Sequence, residues 1–316
     1  VPLFSRRKPV VPASEVDTHL SDDLALLSGA AQGDVQGDVQ GDAGPWAARL
    51  DALAAQGRWT HHHLLVEHAA RLEAERPGAL AAWQGSGAPT ARAVLAVRAA
   101  WEARSGARAA DVSADQFAAF HSLLEEAGTV IGAALDADPR DPTAWAAAFH
   151  RARGLEQDAT LFHQLLAGAE QASPHGYEWR VAAVEHVSPW WFGTAETSWD
   201  LAQHLARQAP GTRCELLPAA AASRAWWHEK TTVTKAMLTE ALPQAFAHLD
   251  ALAAGDDDVE LVSAGSELAG RLAAAELDAE AVRALAPLGA RLCSVSFGAW
   301  FHDPVAVHQA LLQRRR

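Results

Sequence analysis

Three prolines set the spacing that most constrains this chain. Pro139, Pro174 and Pro210 stand 35 and 36 residues apart, and each closes a stretch in which two helical patterns flank a short turn. A fixed period of about 34 residues, made of two helices and a terminal proline, points to a helical solenoid, because one helix pair cannot bury its apolar face alone.

The residues upstream keep the same register. Twelve, eight and five positions before each proline stand Ala127, Ile131 and Ala134, then Phe162, Leu166 and Ala169, then Ser198, Ala202 and Leu205. Leu65, Ala69 and Leu72 precede Pro77 at the same offsets. That spacing places each trio on one helical face, where small residues let neighbouring helices approach closely. This is the second-helix pattern of a tetratricopeptide repeat. The first-helix pattern is poorer. Trp145 stands six residues after Pro139, where the repeat carries tryptophan, but the equivalent positions after Pro174 and Pro210 are Arg180 and Leu216. The expected fold class is all-α, a TPR-like α-solenoid of antiparallel helix pairs. It is most regular over 113–210 and less regular in its C-terminal third.

Two domains of different kind follow. Residues 1–44 read as a low-complexity, disordered tail. Within it Ser21 is placed to cap a short helix, and 32–44 repeats Gly-Asp-Val-Gln, too poor in apolar surface to offset the entropy of ordering. The period is four residues, unlike the glycine-rich nine-residue calcium repeat. A helical-repeat domain is expected over 45–316. Its helices are predicted at 45–56, 60–75 (capped by Thr60), 90–104, 113–137, 142–153, 158–172, 175–187, 194–208 and 214–229. Thr231 to Thr234 interrupt the pattern. Helices then follow at 235–254, 256–275, 278–291 (capped by Asp278) and 304–316. Abundant alanine supports helix, and a single isoleucine and a single tyrosine argue against strands.

The formal net charge of −13 argues against direct nucleic-acid binding, which needs a basic face to replace phosphate counterions, and against an anionic membrane surface. No run of about 18 apolar residues is present to span a bilayer. The basic start Val1 to Pro9 is followed by no apolar stretch, so it does not read as a secretory signal. Two cysteines, Cys214 and Cys293, form no disulfide framework or zinc-knuckle spacing, so a reducing cytoplasm with both thiols buried as small hydrophobes is expected.

Catalytic motifs are absent. Gly265-Ser266-Glu267-Leu268 lacks the second glycine of a nucleophile elbow, and Gly85-Ser86-Gly87 lacks the strand and third glycine of a phosphate loop. His61, His62, His63 and His68 suggest a metal, but no His-Glu-x-x-His spacing accompanies them, and surface and capping roles are the better reading. No metal and no cofactor are expected. Trp226-Trp227-His228-Glu229-Lys230 gathers acid–base groups, yet general catalysis needs convergence of residues that are not neighbours. Of the twelve tryptophans, Trp46, Trp101, Trp145 and Trp199 sit in apolar helical patterns and read as core. Trp190 and Trp191 share a turn after Pro189, so at least one is expected at the surface.

Several segments together resemble an uncharacterised tetratricopeptide-like family of high-GC bacteria. They are Ala100-Trp101-Glu102-Ala103-Arg104-Ser105-Gly106, the stretch from Leu135 to Thr143, Ser188-Pro189-Trp190-Trp191-Phe192-Gly193-Thr194, and the stretch from Phe297 to Pro304. The resemblance spans roughly residues 45 to 316. The chain has Trp190 where that family usually has lysine, and Thr194 where it usually has serine. The family has no established activity, so the resemblance implies a fold and no catalytic residues.

The leading expectation is a non-catalytic protein–protein interaction scaffold that binds a peptide or helix in a concave groove, its partner unknown. Groove positions follow from the proline register: Thr143, Ala146, His150 and Arg153, then Glu178, Val181, Glu185 and Ser188, then Cys214, Leu217, Ala221 and Arg224. The candidate binding residues are His150, Arg153, Glu178, Glu185, Arg224, Trp190 and Trp191. A second reading is an enzyme or small-ligand binder with a pocket near Trp190-Trp191 and the segment 226–230. A third is a regulatory sensor that acts through a separate partner.

Overall fold

The computed structural model describes residues 17–30, 44–79, 81, 83–85, 87–106, 109–298 and 304–314. Among the described residues the chain forms fifteen α-helices and no strand, so the protein is all-α. Among them, too, no helix is long and apolar enough to cross a membrane. The helices are α1 (Ser21–Ala30), α2 (Gly44–Ala55), α3 (Trp59–Glu75), α4 (Gly87–Arg104), α5 (Ala114–Ala137), α6 (Pro142–Gly154), α7 (Ala159–Ala172) and α8 (Tyr177–His186). They continue as α9 (Ala195–Gln208), α10 (Leu217–His228), α11 (Thr232–Ala253), α12 (Asp258–Ala274), α13 (Asp278–Leu285), α14 (Ser294–Gly298) and α15 (Pro304–Arg314). The chain divides into two compact units. The first runs over Leu20–Trp179, and the second over Arg180–Arg316 together with residues 17–19.

In the first unit α4 packs along α5, α5 on α6, and α6 on α7. The side chains that meet are small. Ala93, Val97, Ala127, Ile131, Ala134, Ala144, Ala147 and Ala148 form one buried cluster. Ala100, Phe120 and Leu124 form a neighbouring one. Of the periodic trios, all are buried except Leu72 and Leu166, which are half-buried. Where helices come closest, glycine is required. A Cβ on Gly154 would stand 2.3 Å from Leu124 Cδ1 and 2.7 Å from Phe120 Cζ, and one on Gly168 would stand 2.7 Å from the Trp145 ring.

Turns are fixed by side chains that the sequence names. Ser113 and Gln116 form a reciprocal capping box at the start of α5, Asp141 and Asp158 cap α6 and α7, and Thr194 caps α9. The indole of Trp145 donates to the carbonyl of Pro139 at 2.8 Å, and the indole of Trp179 donates to that of Ser173 at 2.9 Å. The tryptophan after Pro174 that matches Trp145 in this contact is therefore Trp179. Counting from Pro174 selects Arg180 and misses it, because the accepting carbonyl belongs to the residue before the proline.

Several expectations are corrected. The short helix expected within the 1–44 tail is present as α1, but it is packed, with Leu24 and Leu27 buried and Asp23 tied to Arg49 Nε at 2.6 Å and His61 Nε2 at 2.7 Å. Two leucines one turn apart and one carboxylate held by Arg49 and His61 outweigh the low-complexity surroundings. Most of the Gly-Asp-Val-Gln repeat, up to residue 43, lies outside the described residues. Thr60 does not cap α3, which begins one residue earlier with Arg58 before it. Asp278 is the first residue of α13 and does not cap it, and α13 ends at Leu285. The threonines at 231–234 start a helix instead of interrupting one: Thr231 and Thr234 form a capping box for α11, which runs unbroken through Pro243.

The second unit is built around α12. Nearly every residue from Val259 to Leu272 is buried, including Ser263, Ser266, Glu267 and Arg271. It packs against α10, α11, α13 and α14.

Candidate functional site

In the second unit, α8, α9, α10 and α12 enclose one side of a shallow recess. Val181, Val184, Leu217, Ala220 and Ala221 line it with apolar surface, and Glu185, Ser188, Ser198, Arg224 and Arg271 add polar groups. Its volume is about 280 Å³ with the solvent at its mouth included, while the enclosed part has room for about one water. Val181, Glu185, Ser188, Leu217, Ala221 and Arg224 are groove positions named by the proline register, and the structure brings them together here. Cys214, from the same register, is wholly buried elsewhere in the helical turn before α10.

Arg224 joins a carboxylate and two aromatic rings at the recess. Its guanidinium donates to Glu185 Oε1 at 2.8 Å and lies 4.7 Å from the ring centre of Trp190 and 4.9 Å from that of Trp227. Guanidinium planes favour both carboxylate and aromatic faces, so the three partners hold the cation in one orientation. Burial lowers the Arg224 pKa, and Glu185 works against that shift. Trp190 also approaches His228, with ring centres 5.2 Å apart, and is 42% exposed. Trp191 is half-buried, and Phe192 beside it is exposed. Ser188 is buried, and its hydroxyl has no hydrogen-bond partner among the described residues.

Behind the recess lies a buried ionic network that the sequence reading missed. Glu267 accepts from Arg213 Nη2 at 2.6 Å and from Arg271 Nε at 2.9 Å. Arg213 Nη1 donates to Ser263 Oγ at 2.7 Å, and Ser263 shares a hydrogen bond with Ser296. The available signal was the four-residue spacing of Glu267 and Arg271 within a helix whose other residues are almost all apolar or small. Charges in such a helix have to find each other.

The remaining candidates lie apart from this recess. His150 and Arg153 belong to the first unit, where Arg153 is buried, meets His150 Nδ1 at 3.1 Å and lies 5.2 Å from the Trp101 ring centre. Glu178 is buried in the first unit, and its carboxylate oxygens have no hydrogen-bond partner among the described residues. The histidine run points three ways, as consecutive helical residues must. His61 pairs with Asp23, His62 faces Asp141 with its Nδ1 at 3.9 Å, and His63 shares a hydrogen bond with Thr143. Burial lowers the His62 pKa, against the pull of Asp141. In the segment 226–230, Lys230 pairs with the exposed Glu276. Cys293 is no nucleophile as it stands: burial, reinforced by the neighbouring Asp17, raises its thiol to about 11.

No family model matches the chain, and neither does any curated protein or solved structure compared with it.

Proposed function

We propose that this chain is a non-catalytic binding scaffold of TPR-like helix pairs, and that the recess of the second unit takes one side chain of a partner peptide or helix. The observation that carries this reading is the Arg224 clamp, a cation fixed by Glu185, Trp190 and Trp227 beside an apolar lining. Held aromatic and guanidinium groups at the edge of an apolar depression are the usual anchors of a protein contact. The unpartnered hydroxyl of Ser188 offers a further polar contact inside it. Pockets for small substrates enclose some hundreds of Å³, so room for about one water favours a docked side chain over an enclosed substrate. The meeting of Trp190 with Trp227 and His228 favours a small-ligand reading, but none of those rings lines the recess.

The test is selection of peptides from a random displayed library against the full chain, with affinities measured by fluorescence anisotropy. The expected result is a peptide family that loses binding at least tenfold in Arg224→Ala and in Trp190→Ala, but keeps it in His150→Ala. Selected peptides that bind Arg224→Ala and Trp190→Ala as tightly as the parent would sink the proposal.

A further inference from the structure

Three ligand types meet at the opposite end of the same buried network. A carboxylate oxygen of Asp17, an imidazole nitrogen of His19 and the Sγ of Cys293 all lie within 4.8 Å of one another. Asp17 and Cys293 are fully buried, and His19 is half-buried. We propose that these three residues bind a divalent transition-metal ion of the zinc type, which fastens residues 17–19 to the turn before α14.

The donor set selects the metal. One sulfur, one nitrogen and one oxygen suit Zn²⁺, whereas Ca²⁺ and Mg²⁺ require oxygen ligands throughout. Charge selects its valence. A carboxylate and a thiolate carry two negative charges and the imidazole none, so a dication brings the buried site to zero, and an interior tolerates little else. Binding displaces the Cys293 thiol proton to solvent, and the thiolate electron pair becomes the metal bond.

The surrounding groups orient each ligand from behind. The backbone N–H of Ser294 donates to one Asp17 oxygen at 2.6 Å, and its hydroxyl donates to the other at 2.5 Å. The backbone N–H of Cys293 donates to Ser266 Oγ at 2.9 Å, and the Ser296 hydroxyl donates to Cys293 Sγ at 3.3 Å. Such outer partners fix ligand geometry in metal centres. Three protein ligands leave one position of a tetrahedral shell for water or another donor. Sequence inspection had no means of finding this set, because Asp17 and Ser294 are 277 positions apart and no short motif contains both ends. The same distance gives the metal its effect, since closing a long loop removes much entropy from the unfolded chain.

The competing account is that Asp17 only receives the first backbone N–H of α14 while the thiol fills space. Spectroscopy of the full chain separates the two. The protein is stripped with a chelator, titrated with Co²⁺ and then with Zn²⁺, and Zn²⁺ affinity is measured by competition with a chromophoric chelator. One equivalent of Co²⁺ should produce thiolate-to-cobalt charge-transfer absorption, which Zn²⁺ then abolishes. Cys293→Ser should lose that absorption. His19→Gln, at a half-buried position, should keep the parental circular dichroism and bind Zn²⁺ at least about tenfold more weakly. The proposal is overturned if the parent shows no charge transfer, if Cys293→Ser retains it, or if His19→Gln binds Zn²⁺ like the parent. Should Cys293→Ser fail to fold, the His19→Gln competition decides alone.

Discussion

In the first unit, helices α4, α5 and α6 meet through alanines, Val97 and Ile131, and a glycine at the end of α6 lets Leu124 and Phe120 close over it. In the second unit, α12 is buried on nearly all sides yet carries Glu267 and Arg271 inward to meet Arg213. The first arrangement needs only residues of the right size at the right spacing. The second needs particular charges from distant parts of the chain to arrive together. Packing by shape tolerates graded change, whereas a buried ionic group fails abruptly when one member is missing.

The sharpest way to break this comparison is Glu267→Ala. Two buried guanidinium groups then lose their counter-charge, and the expected cost is about 3–5 kcal/mol. Native-state hydrogen exchange should show α12 amides losing protection while α5 amides keep theirs. An equal loss in α5 would mean that the two units unfold as one body.

The pattern of legibility follows the same division. The starts of α5, α7 and α9 were readable to within a residue, because Ser113, Asp158 and Thr194 are followed at once by an apolar period, so cap and face agree. Thr231 misled because a run of threonines reads as poor helix, although two of them satisfy backbone N–H groups at the helix start. Part of the recess was legible, since Glu185, Ser188 and Arg224 follow from the register. The clamp on Arg224 was legible by half: Trp227 follows three residues later on α10, whereas Trp190 reaches it from the turn before α9. The Arg213–Glu267 pair, 54 positions apart, obeys no local rule at all.

A smaller effect is expected from Gly154→Ala in the first unit. The new methyl group would crowd Leu124 and Phe120, and overpacking of this kind costs about 1–3 kcal/mol. Urea unfolding followed by tryptophan fluorescence checks it. A cost below that range would show that the α5–α6 seam yields more readily than its fit suggests.

The smallest effect lies at the edge of the first unit and depends on pH. Burial alone would raise the Asp23 pKa, but hydrogen bonds from His61 and Arg49 and their charges hold it at about 2. An unfolded aspartate titrates at about 3.9, so the folded state favours the ionised form. The resulting stability is complete above about pH 4 and is lost as the pH falls toward 2, an effect of about 1 kcal/mol after solvent screening. Asp23→Asn should flatten the acid limb of the stability curve across that window. An unchanged acid limb would show that the ion pair contributes nothing to α1 docking.

The two indole hydrogen bonds also govern where the chain can vary in length. Trp145 reaches back to Pro139, and Trp179 to Ser173, and in each case six positions separate donor and acceptor. The span works as a ruler laid across the turn between two consecutive helices, α5 and α6 in one case and α7 and α8 in the other. One residue inserted inside either span moves the indole a third of a turn around its helix and out of reach of the carbonyl. Added sequence is therefore tolerated outside these spans, at exposed turns that no indole bridges.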